Sequence, residues 1–155
     1  MVHEYKLIEV EEAHSLRDRI ELLDDAYYVD RSVISLNQGL NGEIGSYYSI
    51  HDGSLPKDIR NELYEIAPKK DLPLTEVVIN KYRIGDWIPP HEDDVGPAYC
   101  STLHLEDSEE GLSYEGGLSK NKAGWCKEFH MRFVHWVEPV SDPRYSVIFL
   151  YGRGI

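Results

Sequence analysis

Apolar residues fall at helical spacing twice in the first half of the chain. Residues 9 to 25 carry Ala13, Leu16, Ile20 and Leu23 as a stripe among Glu, Arg and Asp, which predicts an amphipathic helix. A second helix is expected after Ser54, read as its N-cap with Pro56 in the first turn, and Ile59, Leu63 and Ile66 form its buried stripe. Between them, Ser32 to Leu36 and Ser46 to Ile50 read as short strands, separated by turn signals at Asn37-Gln38-Gly39 and Asn41-Gly42. Beyond Pro68 the texture changes to strands and turns. Thr75 to Tyr82, Ala98 to Leu105, Phe129 to Val137 and Arg144 to Tyr151 read as strands. Glu106 to Glu110 reads as an acidic, solvated loop. Glu115-Gly116-Gly117 and Ser141-Asp142-Pro143 read as turns. No repeat or linker divides residues 1–155, so the expectation is one α+β domain: a double-sheet jelly roll with the N-terminal helices packed on one sheet.

Charge narrows the partners. The formal net charge is −12, and the basic clusters are thin: Lys69-Lys70, Lys120 with Lys122, and Lys127. A polyphosphate ligand meets an unfavourable long-range field; the acidity reads first as a device for solubility, and the sharper alternative is a preference for neutral or cationic substrates over nucleic acid. No apolar run reaches the length of a membrane span, and the N-terminal residues lack the apolar core of a signal peptide. Cys100 and Cys126 read as two reduced thiols, which with the missing leader gives a cytoplasmic expectation.

The residues that carry chemistry are few. His91 and Asp93 stand two apart, and on an extended segment such positions face the same side. A second imidazole, His135, arrives downstream, and Arg144 follows it by nine positions. Two imidazoles and one carboxylate on one face of a metal leave positions open, the arrangement of non-haem Fe(II) oxygenases. An arginine deeper in the same barrel would hold the far carboxylate of a co-substrate. Taken singly these signals are weak. Pro89-Pro90 and Asp93-Asp94 would also suit a surface turn, Glu92 and Asp94 compete as carboxylates, and His130 competes with His135. A zinc hydrolase could use the same triad, although it needs no buried carboxylate receptor.

Two segments together carry a resemblance. NKYRIGDWIPPHEDD, from Asn80 to Asp94, resembles the N-x-Y-x-x-G segment leading into H-x-D of the Fe(II)/2-oxoglutarate-dependent dioxygenase superfamily, in its AlkB-like branch. HWVEPVSDPRYSVIFLY, from His135 to Tyr151, is similar to the H-x-V-x-P-V segment and following R-Y strand of prolyl-hydroxylase-like members. The resemblance implies a double-stranded β-helix and an oxidoreductase using Fe(II), 2-oxoglutarate and O2, with ascorbate a candidate reductant. It implies His91, Asp93 and His135 as iron ligands, and Arg144, Tyr82 and Asn80 around the co-substrate. The implied reaction couples oxidative decarboxylation of 2-oxoglutarate to oxidation of a C–H bond. One departure stands out. AlkB-like enzymes carry a second arginine six residues after the one matching Arg144, where this chain has Leu150; Arg153 comes later.

For substrate, Tyr47, Tyr48 and Trp87 are the candidate aromatic wall near the iron. The leading expectation is a hydroxylase of an amino acid, a peptide or protein side chain, or a small metabolite. The alternatives are an AlkB-like or pyrimidine-oxidising nucleic-acid dioxygenase, and a non-catalytic jelly-roll metal-binding protein.

Overall fold

The computed structural model describes residues 2–33, 40, 42–92, 99–130 and 132–152. Among the described residues, two helices, α1 (Val10–Glu21) and α2 (Lys57–Ile66), accompany eleven strands. The strands are β1 (His3–Lys6), β2 (Val29–Asp30), β3 (Tyr48–His51), β4 (Leu74–Tyr82), β5 (Ile88–His91), β6 (Tyr99–His104), β7 (Ser108–Tyr114), β8 (Gly117–Asn121), β9 (Trp125–His130), β10 (His135–Val137) and β11 (Arg144–Tyr151). They form a seven-stranded sheet in the order β1-β9-β6-β11-β4-β3-β2 and a four-stranded sheet in the order β5-β10-β7-β8. Neighbouring strands pair antiparallel throughout the named ladders. β1 to β4 all lie in the large sheet; from β4 onward the chain passes back and forth between the two sheets, with β7 and β8 a consecutive pair in the small one, as the jelly-roll expectation required.

The two-residue period of the strands decides what each sheet face carries. On β11, Tyr145, Val147, Phe149 and Tyr151 belong to the main hydrophobic core, while Arg144, Ser146, Ile148 and Leu150 line a cavity. On β4, Val77 and Ile79 join that core, and Glu76, Val78, Asn80 and Tyr82 line the cavity. Ala13, Leu16 and Ile20 of α1 and Ile59 and Leu63 of α2 belong to the same core cluster. Leu16, Ile20 and Leu63 are fully buried, each contributing about 1.5–3 kcal/mol of apolar burial. Both helices thus share a core with one face of β4 and β11, and the other face of these strands lines the cavity.

Several boundaries differ from the sequence expectation. Phe129 to Val137 is not one strand: β9 ends at His130, the Phe133 amide donates to the His130 carbonyl at 2.9 Å, and β10 begins at His135 in the other sheet. The intervening turn contains neither Gly nor Pro, so nothing in its composition announces it. The acidic stretch Glu106 to Glu110 is a loop only to Asp107; Ser108 opens β7. Ser54 ends a short 3₁₀ turn, and Pro56, which has no side-chain donor or acceptor, is the residue preceding α2. Arg31–Val33 is a 3₁₀ turn, and the remainder of the strand expected there lies outside the described residues, as do Asn37-Gln38-Gly39 and Asn41. Among the described residues, no helix is long and apolar enough to cross a membrane.

Candidate active site

β5 and β10 are the strands that matter most, and both are short. They pair antiparallel with His135 opposite His91, which brings the two imidazole rings to a centroid separation of 4.2 Å. Each ring is held in the same way. His91 Nδ1 donates to the Pro89 carbonyl at 2.9 Å, and His135 Nδ1 donates to the Phe133 carbonyl at 2.7 Å. A carbonyl can only accept, so the proton sits on Nδ1 and the lone pair on Nε2 of both rings. That is how ligating histidines are usually fixed: a backbone acceptor sets the tautomer and aims the other nitrogen. His135 is buried, with the Phe129 ring 4.5 Å away, and His91 is half-buried. The donor set fits a divalent metal with imidazole preference, Fe(II) included. Asp93, the expected carboxylate ligand, lies outside the described residues, as do Asp94 and Arg153. The competitor His130 is exposed at the end of β9, with its Nδ1 accepting from the Arg132 amide at 3.2 Å.

The two histidines line a cavity of about 200 Å³ between the sheets. Arg144, 5 % exposed, lines the same cavity from the start of β11, opposite Tyr82 of β4. Its guanidinium lies 5.6 Å from the Tyr82 ring centroid, and one terminal nitrogen donates to Glu110 at 3.3 Å. Nε is buried and has no hydrogen-bond partner among the described residues. Asn80, also buried, donates to the Tyr82 hydroxyl at 3.2 Å. The Gly85 amide donates to the Val140 carbonyl at 2.8 Å and the Val140 amide to the Asp86 carbonyl at 3.0 Å, locking the β4–β5 and β10–β11 connections together. Behind that lock, Tyr47, Tyr82, Ile88, Val137 and Val140 form a small second core.

Neither a protein-family model nor a curated protein sequence matches this chain. Solved structures do. A prolyl-4-hydroxylase from Pseudomonas putida matches with a TM-score of 0.71 at 17% identity, over 99% of this chain and 92% of that one. A prolyl hydroxylase from Trichoplax adhaerens, in complex with a hypoxia inducible factor oxygen degradation domain peptide fragment, matches at 0.65 and 13%, over 97% and 83%. The non-heme alpha ketoglutarate-dependent epimerase SnoN from nogalamycin biosynthesis matches at 0.65 and 16%, over 98% and 77%. The chain has the fold of the 2-oxoglutarate oxygenases.

Within that double-stranded β-helix the remaining candidate residues separate by strand phase. Tyr47 is buried, lines the cavity and stacks on Tyr82 with ring centroids 6.0 Å apart. Tyr48 and Trp87 are not among the described residues lining the cavity, contrary to the aromatic wall expected of them. Both follow or precede a cavity-facing neighbour, Tyr47 and Ile88, so the pleat turns them to the opposite face. Tyr48 instead lies under Arg83, whose guanidinium carbon is 4.1 Å from its ring centroid. Leu150 lines the cavity as an apolar residue, so β11 offers no second arginine there. Glu110, expected on a solvated face, bonds Arg144 and also accepts from the Ser141 amide at 3.1 Å.

Two cavity residues were not singled out as site residues. His104 on β6 and Lys127 on β9 are 6 % and 2 % exposed. The available signal was phase: Lys127 sits two positions from Phe129, and His104 two from Thr102, all on the cavity face. Burial pulls His104 well below the ordinary imidazole range, and the charges of Lys127 and Arg144 push the same way. Burial likewise pulls Lys127 down to about 7, Glu4 raising it in part and Arg144 lowering it further. Burial raises the Tyr82 phenol, against the Asn80 hydrogen bond and the Arg144 charge, so its proton stays available for donation.

These shifts set a pH dependence of folding. The folded chain binds fewer protons at Lys127 than the unfolded chain once pH exceeds about 7, so its folding penalty is full below that value and is relieved toward 10.5. Urea unfolding should therefore show stability rising from about pH 7 to 9, by at most about 1.4 kcal/mol per pH unit. Above that range buried Cys126, its thiol raised to about 12, opposes the trend. Lys127→Met should flatten the rise. A wild-type profile already flat over this window would show that Lys127 is not desolvated.

Proposed function

We propose that this chain is an Fe(II)- and 2-oxoglutarate-dependent oxygenase that hydroxylates a C–H bond of an amino acid, a peptide or protein side chain, or a small metabolite. One observation carries the reading: two tautomer-fixed imidazoles meet on the wall of a cavity that a buried arginine also lines. In this reading His91 and His135 hold the metal through Nε2, and Asp93 supplies the carboxylate. Arg144 receives the far carboxylate of 2-oxoglutarate, which a planar guanidinium fork suits. The Tyr82 hydroxyl, positioned by Asn80, adds a donor to the same group. Glu110 holds one terminal nitrogen of the guanidinium. The bound iron supplies dioxygen activation coupled to oxidative decarboxylation of the keto acid; the cavity walls shield that chemistry from water.

A peptide-type substrate is supported by the prolyl hydroxylases among the solved structures, one of them in complex with a peptide fragment. A nucleic-acid substrate is disfavoured by the net charge of −12 and by Leu150. Anaerobic titration of the purified chain with Fe(II) and 2-oxoglutarate tests the reading. A visible charge-transfer band is expected with both present and with neither alone, and admission of O2 with a substrate panel should yield succinate. Without band and succinate, the reading fails. The epimerase with this fold makes the product, rather than succinate alone, the test of hydroxylation.

A further inference from the structure

The reading above leaves part of the cavity wall unused. Lys127 reaches from β9 of the large sheet across to β8 of the small one. Its ammonium donates to the Ser119 carbonyl and, at 2.8 Å, to Asn121 Oδ1. β7 passes this point with Gly111, where an added Cβ would lie 2.8 Å from Lys127 Nζ and 1.9 Å from the Ser119 carbonyl oxygen. The crossing is therefore built into the backbone, not a stray rotamer. A lysine ammonium has three protons to donate, and its two acceptors here are neutral. Nearby, both ring nitrogens of His104 are buried without a hydrogen-bond partner among the described residues, as is Arg144 Nε. Orphaned polar atoms of this kind are costly and rare in folded chains. Lys127 thus has two neutral acceptors, His104 has none among the described residues, and Arg144, which spends one terminal nitrogen on Glu110, keeps its Nε–H unused; the three come from β9, β6 and β11 of one cavity.

We propose that Lys127 and His104 complete, with Arg144, a three-sided receptor for one carboxylate, and that in this chain they share the far carboxylate of the co-substrate. The proposal rests on the reading of the site as a 2-oxoglutarate site. Neutral His104 donates one N–H, Lys127 its third proton and Arg144 its Nε–H, so the carboxylate's lone pairs are used from three directions. A carboxylate beside Lys127 also offsets the desolvation that lowers its pKa, so binding favours the ammonium form. The receptor selects a dicarboxylate keto acid over one with an apolar tail.

The test compares 2-oxoglutarate with 2-oxovalerate, which keeps the keto-acid end and chain length and lacks only the far carboxylate. Affinities are measured anaerobically with Fe(II) for the wild type, Lys127→Met, His104→Phe and Arg144→Ala, with thermal unfolding as a check on each. Lys127→Met should weaken 2-oxoglutarate by about ten- to a hundredfold, the worth of one charge-assisted hydrogen bond, and leave 2-oxovalerate within about twofold. His104→Phe, which leaves the cross-sheet lysine in place, should weaken 2-oxoglutarate alone by a smaller factor and carries the test if Lys127→Met unfolds. Equal weakening of both acids by each variant would make these residues structural and overturn the proposal. So would unchanged 2-oxoglutarate binding while Arg144→Ala loses it, an outcome that leaves the oxygenase reading standing. No 2-oxoglutarate binding by the wild type would remove that reading itself.

Discussion

His135→Ala should abolish Fe(II)- and 2-oxoglutarate-dependent succinate formation and weaken Fe(II) binding by well over about 100-fold, since even second-sphere changes at metal sites cost 10–100-fold. The expectation follows from how the ring is held. Its Nδ1 is committed to the Phe133 carbonyl, so the group lost is an oriented nitrogen lone pair, not a mobile side chain. The substitution also opens space beside Phe129, whose ring is 4.5 Å from the imidazole, and some loss of thermal stability is expected with it. His135→Gln, which keeps most of the volume, separates the two effects: it should restore stability and not turnover. His91→Ala should behave alike, because His91 faces His135 across the β5–β10 pair. Metal titrations in which His135→Ala binds Fe(II) like the wild type would mean that the paired imidazoles are a packing feature.

Arg144→Ala should lower 2-oxoglutarate affinity by about 100-fold or more, with folding stability reduced by roughly 1–3 kcal/mol. The binding loss comes from removing the one cation that begins β11 inside the cavity. The stability loss comes from Glu110, which would keep its place near the cavity without its partner. The lower end of the range applies because a third of the Glu110 side chain stays in contact with water. Arg144→Lys should recover part of the stability and less of the affinity, because a point charge cannot reproduce the planar fork. Isothermal titration and urea unfolding on the same preparations measure both. A variant with full affinity for 2-oxoglutarate would place the carboxylate elsewhere in the cavity.

What could be seen in the residues alone depended on how strongly each strand alternates. β4 and β11 were visible because both of their faces are buried, one in the core and one against the cavity, so the apolar signal is dense. β5 was hidden by Pro89 and Pro90, which argue against a strand by composition, although the segment ends at His91 in register with His135. β7 was hidden by Glu109 and Glu110, which look like solvent-facing charge until Arg144 is known to lie opposite. The histidine pair and the arginine were legible because their spacing matched a pattern. His104 and Lys127 belong to no such pattern: a histidine or lysine in a strand is ordinarily at the surface, and only the closing of one sheet over the other puts these two inside.

The two backbone hydrogen bonds between Val140 and the Gly85-Asp86 pair clasp the connection from Tyr82 to β5 against the one from β10 to Arg144. His91 and His135 lie on the far sides of those two connections, on strands paired with each other, and Tyr82 and Arg144 on the near sides, opposite each other across the β4–β11 ladder. One buckle therefore sets the spacing of both pairs at once, and a residue change that slackens either connection would disturb the imidazoles and the guanidinium together.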